Sequence, residues 1–276
     1  MTGTPAITSH LRFSTIAAFL GCAAIISFVT LFQPCDTKAA TPQAATAINS
    51  GDRAFWKMQY HKADSLYSIA ATHEPRNAEI WWKLARLEVS LGESLRHDRT
   101  EERVAHYRKA VVHARRSIAI DSTSADGHAW LAAALGLAVE KSGTKEKLRS
   151  AGEIKQELDT ALRLNPNDQT ALSMLGSYYR EAAGIGWFKR MMGGTFVGKM
   201  PEGDYEDAKE ALQKAITLDP RVIRNYHELA LVELELGHKK EAVVLMEAAM
   251  DQPILFYSDR RRLRQMRRLL EKLQDD

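Results

Sequence analysis

The chain has 276 residues, enough for one large domain or two small ones. Its 38 Lys and Arg against 35 Asp and Glu leave a net charge of only +3, so bulk charge gives no case for a nucleic-acid partner. Apolar residues at 45% and charged residues at 26% are ordinary for a globular protein.

The first segment is not globular. From Phe13 to Phe32, "FSTIAAFLGCAAIISFVTLF" runs 20 residues without a charge, longer than a signal-peptide core and about enough to span a bilayer. His10 and Arg12 precede it, which keeps the N-terminus cytoplasmic by the positive-inside bias. Thr37-Lys38-Ala39 offers a small-x-small cleavage site, so a removed signal and a retained anchor both stay open. Both cysteines, Cys22 and Cys35, fall here, and their absence from 36–276 excludes a disulfide or cysteine-metal site in the folded part. Residues 1–38 therefore read as signal or membrane anchor, 39–50 as a small, polar linker, and 51–276 as the folded domain.

That domain is repetitive. "ADSLYSIAATHEP" (63–75), "AVVHARRSIAIDS" (110–122), "IKQELDTALRLNP" (154–166), "AKEALQKAITLDP" (208–220) and "AVVLMEAAMDQPI" (242–254) each read as one helix. Most begin on a small residue, place apolar and small residues four and seven further on, and end near Pro. Before four of them lie "AEIWWKLARLEVSLG", "ADGHAWLAAALGLAV", "TALSMLGSYYREAA" and "NYHELALVELELG", with apolar residues at i, i+3, i+4 and i+7. This is the two-helix pattern of the tetratricopeptide repeat (TPR). The repeat ends at 75, 122, 166, 220 and 254 are 47, 44, 54 and 34 residues apart. Against a 34-residue unit, three repeats carry insertions between their helices and the last is standard. The expected fold is all-α: a TPR-like superhelix of about five helix pairs with inter-helix insertions. A basic amphipathic helix, "YSDRRRLRQMRRLLEKLQ", caps the last repeat.

The insertion of the fourth repeat holds "GGTFVGKM" (193–200), a loose match to the phosphate-binding pattern G-x-x-x-x-G-K-[ST]. Met200 takes the position of the Mg²⁺-ligating hydroxyl, and a thioether is a poor ligand for a hard cation. Pro201-Glu202-Gly203-Asp204 makes a turn where the motif needs a helix, and no strand precedes it. The match is a coincidence of spacing.

With the insertions, residues from about 54 to 270 resemble the regulator of microtubule dynamics family. The matching pieces are "WKLAR" (Trp82, Leu84, Ala85, Arg86), "HAWLA" (His128, Trp130, Ala132), "LNPND…LG", "GWFKR" (Trp187, Arg190), "MPEGDYEDA" and "LDP". Leu131 replaces an aromatic residue after Trp130, and Tyr178 stands where the family usually has Trp. The resemblance implies a non-enzymatic helical domain, often tethered by an N-terminal membrane segment, at microtubules or organelle contact sites, where it binds or moves lipid. The short linker and signal-like start suit a bacterial cell-envelope member, which is the expectation, as well as a eukaryotic one; in a bacterial member the helical domain would lie outside the cytoplasm, in the periplasm or cell envelope. A microtubule role transfers poorly to it.

No catalytic constellation, metal set or cofactor motif emerges. His106 and His113 lack the carboxylate-flanked i, i+4 spacing of a zinc helix, and "LGSYY" around Ser177 lacks the second glycine of a nucleophile elbow. Trp81, Trp130 and Trp187 read as packing residues. The expected activity is binding at a membrane, of a protein or peptide in the concave groove, or alternatively of a lipid acyl chain. In TPR geometry the groove would be lined by Trp82, Arg86, Ala129, Ala133, Ser173, Ser177, Arg180, Arg224, His227 and Leu231. Trp187 and Arg190 in the insertion are a second candidate locus. Arg86 and Arg180 would flank a small-residue centre and fork onto a carboxylate or phosphate, unless they pair instead with Asp126 and Glu181.

Overall fold

A computed structural model of the chain describes residues 41–192 and 202–275. Eleven helices and no strand occur among the described residues: α1 (Pro42–Trp56), α2 (Tyr60–His73), α3 (Ala78–Ser94), α4 (Thr100–Ile120), α5 (Ala125–Val139), α6 (Thr144–Leu164), α7 (Gln169–Met192), α8 (Tyr205–Leu218), α9 (Ile223–Glu235), α10 (Lys239–Met250) and α11 (Tyr257–Asp275). The first ten form five successive antiparallel pairs, each packed on the next, and α11 follows the last.

Local sequence sets the boundaries. Asn77, Ser124 and Asp204 cap α3, α5 and α8 by accepting from backbone N–H groups two or three residues on, and Asp207 completes a capping box with Asp204. The second helix of each of the first four pairs stops alike, the N–H of Glu74, Asp121, Asn165 or Asp219 closing the last turn on Ala70, Ser117, Ala161 or Ala215. Proline follows three of those ends, at 75, 166 and 220, and cannot continue a helix.

Within a pair, a large side chain lies on a glycine. Tyr67 covers Gly51, Tyr107 covers Gly92 and Leu212 covers Gly176, with 1% exposure or less in all three large residues. Burying each contributes on the order of 2 kcal/mol, and the missing Cβ lets the helices close.

One reading of the sequence is corrected. Residues 42–50, expected as linker, are the first turns of α1. Thr41 caps them, Pro42 supplies a preset φ at the first turn, and Ala44, Ala47, Ile48, Gly51 and Phe55 form a buried stripe against α2. Its small residues hid a helix whose buried stripe over 42–50 has only Ala44, Ala47 and Ile48. Among the described residues, the insertions extend the helices. The second helices α4 and α6 reach 21 residues each and α7 reaches 24, whereas α2 and α8 have 14.

Residues 1–38 and the stretch 193–200 lie outside the described residues. Among the described residues no helix is long and apolar enough to cross a membrane.

Candidate ligand cavity

The concave side of the superhelix is not an open trough. The segment leading into α11 doubles back onto the first repeat, where Phe256 packs against Phe55 and Trp56 at ring-centroid distances of 6.3 and 6.0 Å and Tyr257 meets Tyr60 at 5.6 Å. Further along, α11 touches α3 as well as α9 and α10. Glu93 on α3 accepts from Arg262 Nη2 at 2.7 Å and from Ser258 Oγ at 3.3 Å, while Arg261 donates to the Glu93 carbonyl at 3.1 Å. The capping helix thus bridges the last repeat and the second.

Behind this bridge lies a cavity of about 320 Å³, within the usual range for small-molecule sites. Its apolar wall comes from α5, α6 and α7: Ala132, Ala133, Gly136, Leu137, Ala151, Ile154 and Met174, joined by Leu231 of α9. Its polar wall comes mainly from α9 and α11. Six basic side chains (Arg103, Lys147, Arg180, Arg224, Arg261, Arg262) line it against four carboxylates (Glu93, Glu140, Glu181, Glu228), a surplus of two positive charges.

Most of these charges are paired. Arg180 donates to Glu228 at 3.0 Å and to Glu181 at 3.2 Å, and Arg224 stands 3.7 Å from Glu93. Burial works to raise the pKa of Glu228, but His227, Arg180 and Arg224 outweigh it and hold the carboxyl far below its ordinary range. Burial opposes ionisation of Glu93 too, and Arg262, Arg224 and Arg261 again win, leaving it charged. Arg261 is the exception. Among the described residues it has no carboxylate within ion-pairing distance, and burial together with Arg262 and Arg103 pushes its pKa below the usual arginine value despite Glu93. Two more donors or acceptors, Arg224 Nε and His227 Nδ1, are buried without a hydrogen-bond partner.

Of the ten groove residues expected from the sequence, Ala133, Ser177, Arg180, Arg224, His227 and Leu231 line this cavity. Trp82, Arg86, Ala129 and Ser173 do not. Arg86 is buried in a separate network, donating to Asp52 at 3.1 Å and to Tyr67 at 3.0 Å while lying 3.9 Å over the Phe55 ring. Its carboxylate partner is Asp52 rather than the expected Asp126, whereas Arg180 does meet Glu181. Lys83 bonds the same Asp52, and the hydrogen bonds of Lys83 and Tyr67 overcome burial to keep that carboxyl below its ordinary pKa. Ala129 is buried in the helix-packing core, and Ser177 donates back to the Ser173 carbonyl at 3.2 Å. Trp187 and Arg190 fall in the last turns of α7. Trp81, read as packing, is buried, stacks on His113 at 5.6 Å and donates to the Pro75 carbonyl at 3.0 Å.

Sequence reasoning missed Glu93, Glu228, Arg261 and Arg262. Glu93 and the two arginines lie outside the first-helix positions that a plain TPR groove uses, and only the return of α11 brings them in. Among the described residues no group of three or more His, Cys, Asp or Glu could hold a metal ion.

The family described as regulator of microtubule dynamics protein 1-3 matches residues 47–274, most of the chain. The chain belongs to the regulator of microtubule dynamics family.

Within it, the chain is 27% identical over 194 residues to "Regulator of microtubule dynamics protein 1" of Pongo abelii, covering 70% of this chain and 62% of that protein. It is 26% identical over 153 residues to the protein of that name from Caenorhabditis elegans, covering 55% and 68%. The match thus takes in about three-fifths of the Pongo abelii regulator's length. Among solved structures, the thermophilic TPR protein TTC0263 of Thermus thermophilus superposes with a TM-score of 0.59 at 17% identity, over 81% of this chain and 98% of that one. That likeness establishes a TPR-like scaffold, all-α and superhelical, as the architecture of this family member.

Proposed function

We propose that this domain is a non-catalytic binding module whose cavity holds an elongated ligand, apolar along its length and anionic at one end, such as a single acyl chain with an acidic head. The observation that carries the reading is the bridge made by α11: Arg262 on Glu93 partly covers a pocket with one apolar wall and one polar wall of net positive charge. The tail would lie along Ala133, Ile154 and Met174, and the head would face Arg261, the cavity cation without a direct counter-charge. Desolvating an anion there is offset by a charge-assisted hydrogen bond. The uncharged stretch 13–32 would tether the module to a membrane, the natural source of such ligands.

A second reading, a peptide partner on the concave strip outside the pocket, draws support from Trp82 and Asp126. Trp82 is half-buried and Asp126 is half-buried with no ion pair among the described residues. The fold itself is compatible with that use.

Native mass spectrometry of the purified full chain, followed by titration with a fluorescent fatty-acid analogue, tests the first reading. A co-purifying acyl species and saturable binding are expected. Ser177→Trp should abolish binding by filling the pocket, and Arg261→Gln should weaken an anionic analogue more than its neutral alcohol counterpart. Unchanged binding in a folded Ser177→Trp protein would remove the pocket from the account.

A further inference from the structure

Helix α11 presents three different faces, and the two inward ones are already engaged. At 3.6 residues per turn, Leu263, Met266 and Leu270 fall in one sector and pack toward the core of the last repeat. Arg261, Arg262 and Gln265 fall in a second and line the cavity. The third sector, roughly 100° wide, holds Arg260, Arg264, Arg267 and Arg268.

All four of these arginines are exposed, and among the described residues none has an ion pair. Other exposed arginines are either paired with an acid at 2.5–2.9 Å, as Arg96, Arg99, Arg115 and Arg221 are, or unpaired but scattered, as Arg53, Arg76, Arg108, Arg116, Arg149 and Arg163 are, over α1, the α2–α3 turn, α4 and α6. With a net charge of only +3 over the whole chain, four unpaired arginines on one helix face are a local feature.

Aromatic residues stand at the start of the same helix. Tyr257 is 43% exposed with Arg260 5.5 Å over its ring, and Trp56, 52% exposed, packs against Phe256 beside it. Exposed Trp and Tyr next to long basic side chains are the composition favoured at a bilayer interface. There the rings sit at headgroup level and the guanidinium groups reach phosphate.

We infer that the outer face of α11, with Tyr257 and Trp56, is a docking surface for a bilayer carrying anionic lipid. A convex helix flank suits a flat surface better than a chain requiring a groove. The Trp and Tyr add apolar contact that a purely electrostatic partner, such as an acidic polypeptide or nucleic acid, does not use. Each arginine near an anionic surface contributes about fivefold to partition, and the attraction is screened by salt.

The experiment is vesicle co-sedimentation of the full chain with phosphatidylcholine alone and with phosphatidylcholine mixed with phosphatidylserine. Residues 13–32 could associate with either bilayer, so the readout is the difference between the two compositions. That difference should be large in the wild type, shrink with added salt, and fall about tenfold or more in Arg260→Gln/Arg264→Gln/Arg267→Gln/Arg268→Gln. A control with the same charge change, Arg76→Gln/Arg108→Gln/Lys109→Gln/Arg163→Gln, should keep it. Both proteins are checked by circular dichroism and thermal melting, the substituted positions being exposed. Equal losses in the two variants, or no preference for phosphatidylserine in the wild type, would overturn the inference. So would binding confined to an acidic polymer such as heparin. The pocket is untouched by these substitutions, so its occupancy and this docking stand or fall separately.

Discussion

Glu93 and Arg262 lie 169 residues apart in the chain and 2.7 Å apart in space. One belongs to the second helix pair and the other to the capping helix, so this contact bridges the concave side. Their side chains are only 13% and 9% exposed, which makes the pair costly to break from one side.

Glu93→Ala should therefore destabilise the domain by about 3 kcal/mol, because it removes the nearer of the two carboxylates on Arg262, leaving Asp259 at 3.5 Å, and with it the carboxylate 3.7 Å from Arg224. Replacing both partners, Glu93→Leu with Arg262→Leu, should cost less than the two single changes summed. Urea denaturation of the four proteins gives the coupling. Additive effects would mean that the pair does not hold the bridge.

Acid should unfold the protein through two carboxylates in particular. Glu93 and Glu228 have pKa values depressed below the ordinary 4.5, so their stabilising contribution is complete above about pH 4.5 and is lost as pH falls through the folded-state values. Glu228→Gln should lower the melting temperature at pH 7, and its deficit against wild type should shrink steadily below pH 4. A deficit independent of pH would refute the assignment.

Asp126 works in the opposite sense. Burial, reinforced by the nearby Asp168 charge, raises its pKa to about 6. An acid whose folded pKa exceeds its ordinary 3.8 stabilises less as pH rises between those values. Asp126→Asn should thus gain roughly 1 kcal/mol at pH 7, after discounting for partial exposure, and nothing near pH 3. Melting curves at the two pH values decide, and a gain at both would point to packing instead.

Two helical glycines should respond oppositely to alanine. At Gly176 an added Cβ would meet the fully buried Leu212, one methyl at 2.8 Å, and Gly176→Ala should cost about 1–3 kcal/mol. At Gly136, on α5 beside the cavity, nothing lies within 4 Å, so Gly136→Ala should gain up to about 1 kcal/mol of helix propensity. Equal effects would show that α7 and α8 approach each other less closely than the Leu212 contact requires.

The fold was largely legible because its signals are local. Helical periodicity, capping Asn77 and Ser124, and the recurrent proline after the second helices each depend on a few consecutive residues. The start of α1 escaped because alanine makes a weak apolar stripe. The site was only partly legible: TPR geometry picked out Ser177, Arg180, Arg224, His227 and Leu231, which line the pocket. It also picked out Arg86, whose charge is taken by Asp52 on α1, a helix the pattern had not revealed. Glu93 and Arg262 were out of reach because no local pattern reports a contact between the second pair and the last helix.

A linear stack of repeats normally frays from both ends, since each terminal unit has one neighbour. Here Phe256 against Phe55 and Tyr257 against Tyr60 make each terminus the neighbour of the other. The stack becomes a ring in which neither terminal unit is left with a single neighbour. Amide protons of α1 and α11 should then exchange with solvent at rates nearer those of the central helices than of loose ends. Folding carries the matching burden, because the final step must gather a long loop before those rings can meet.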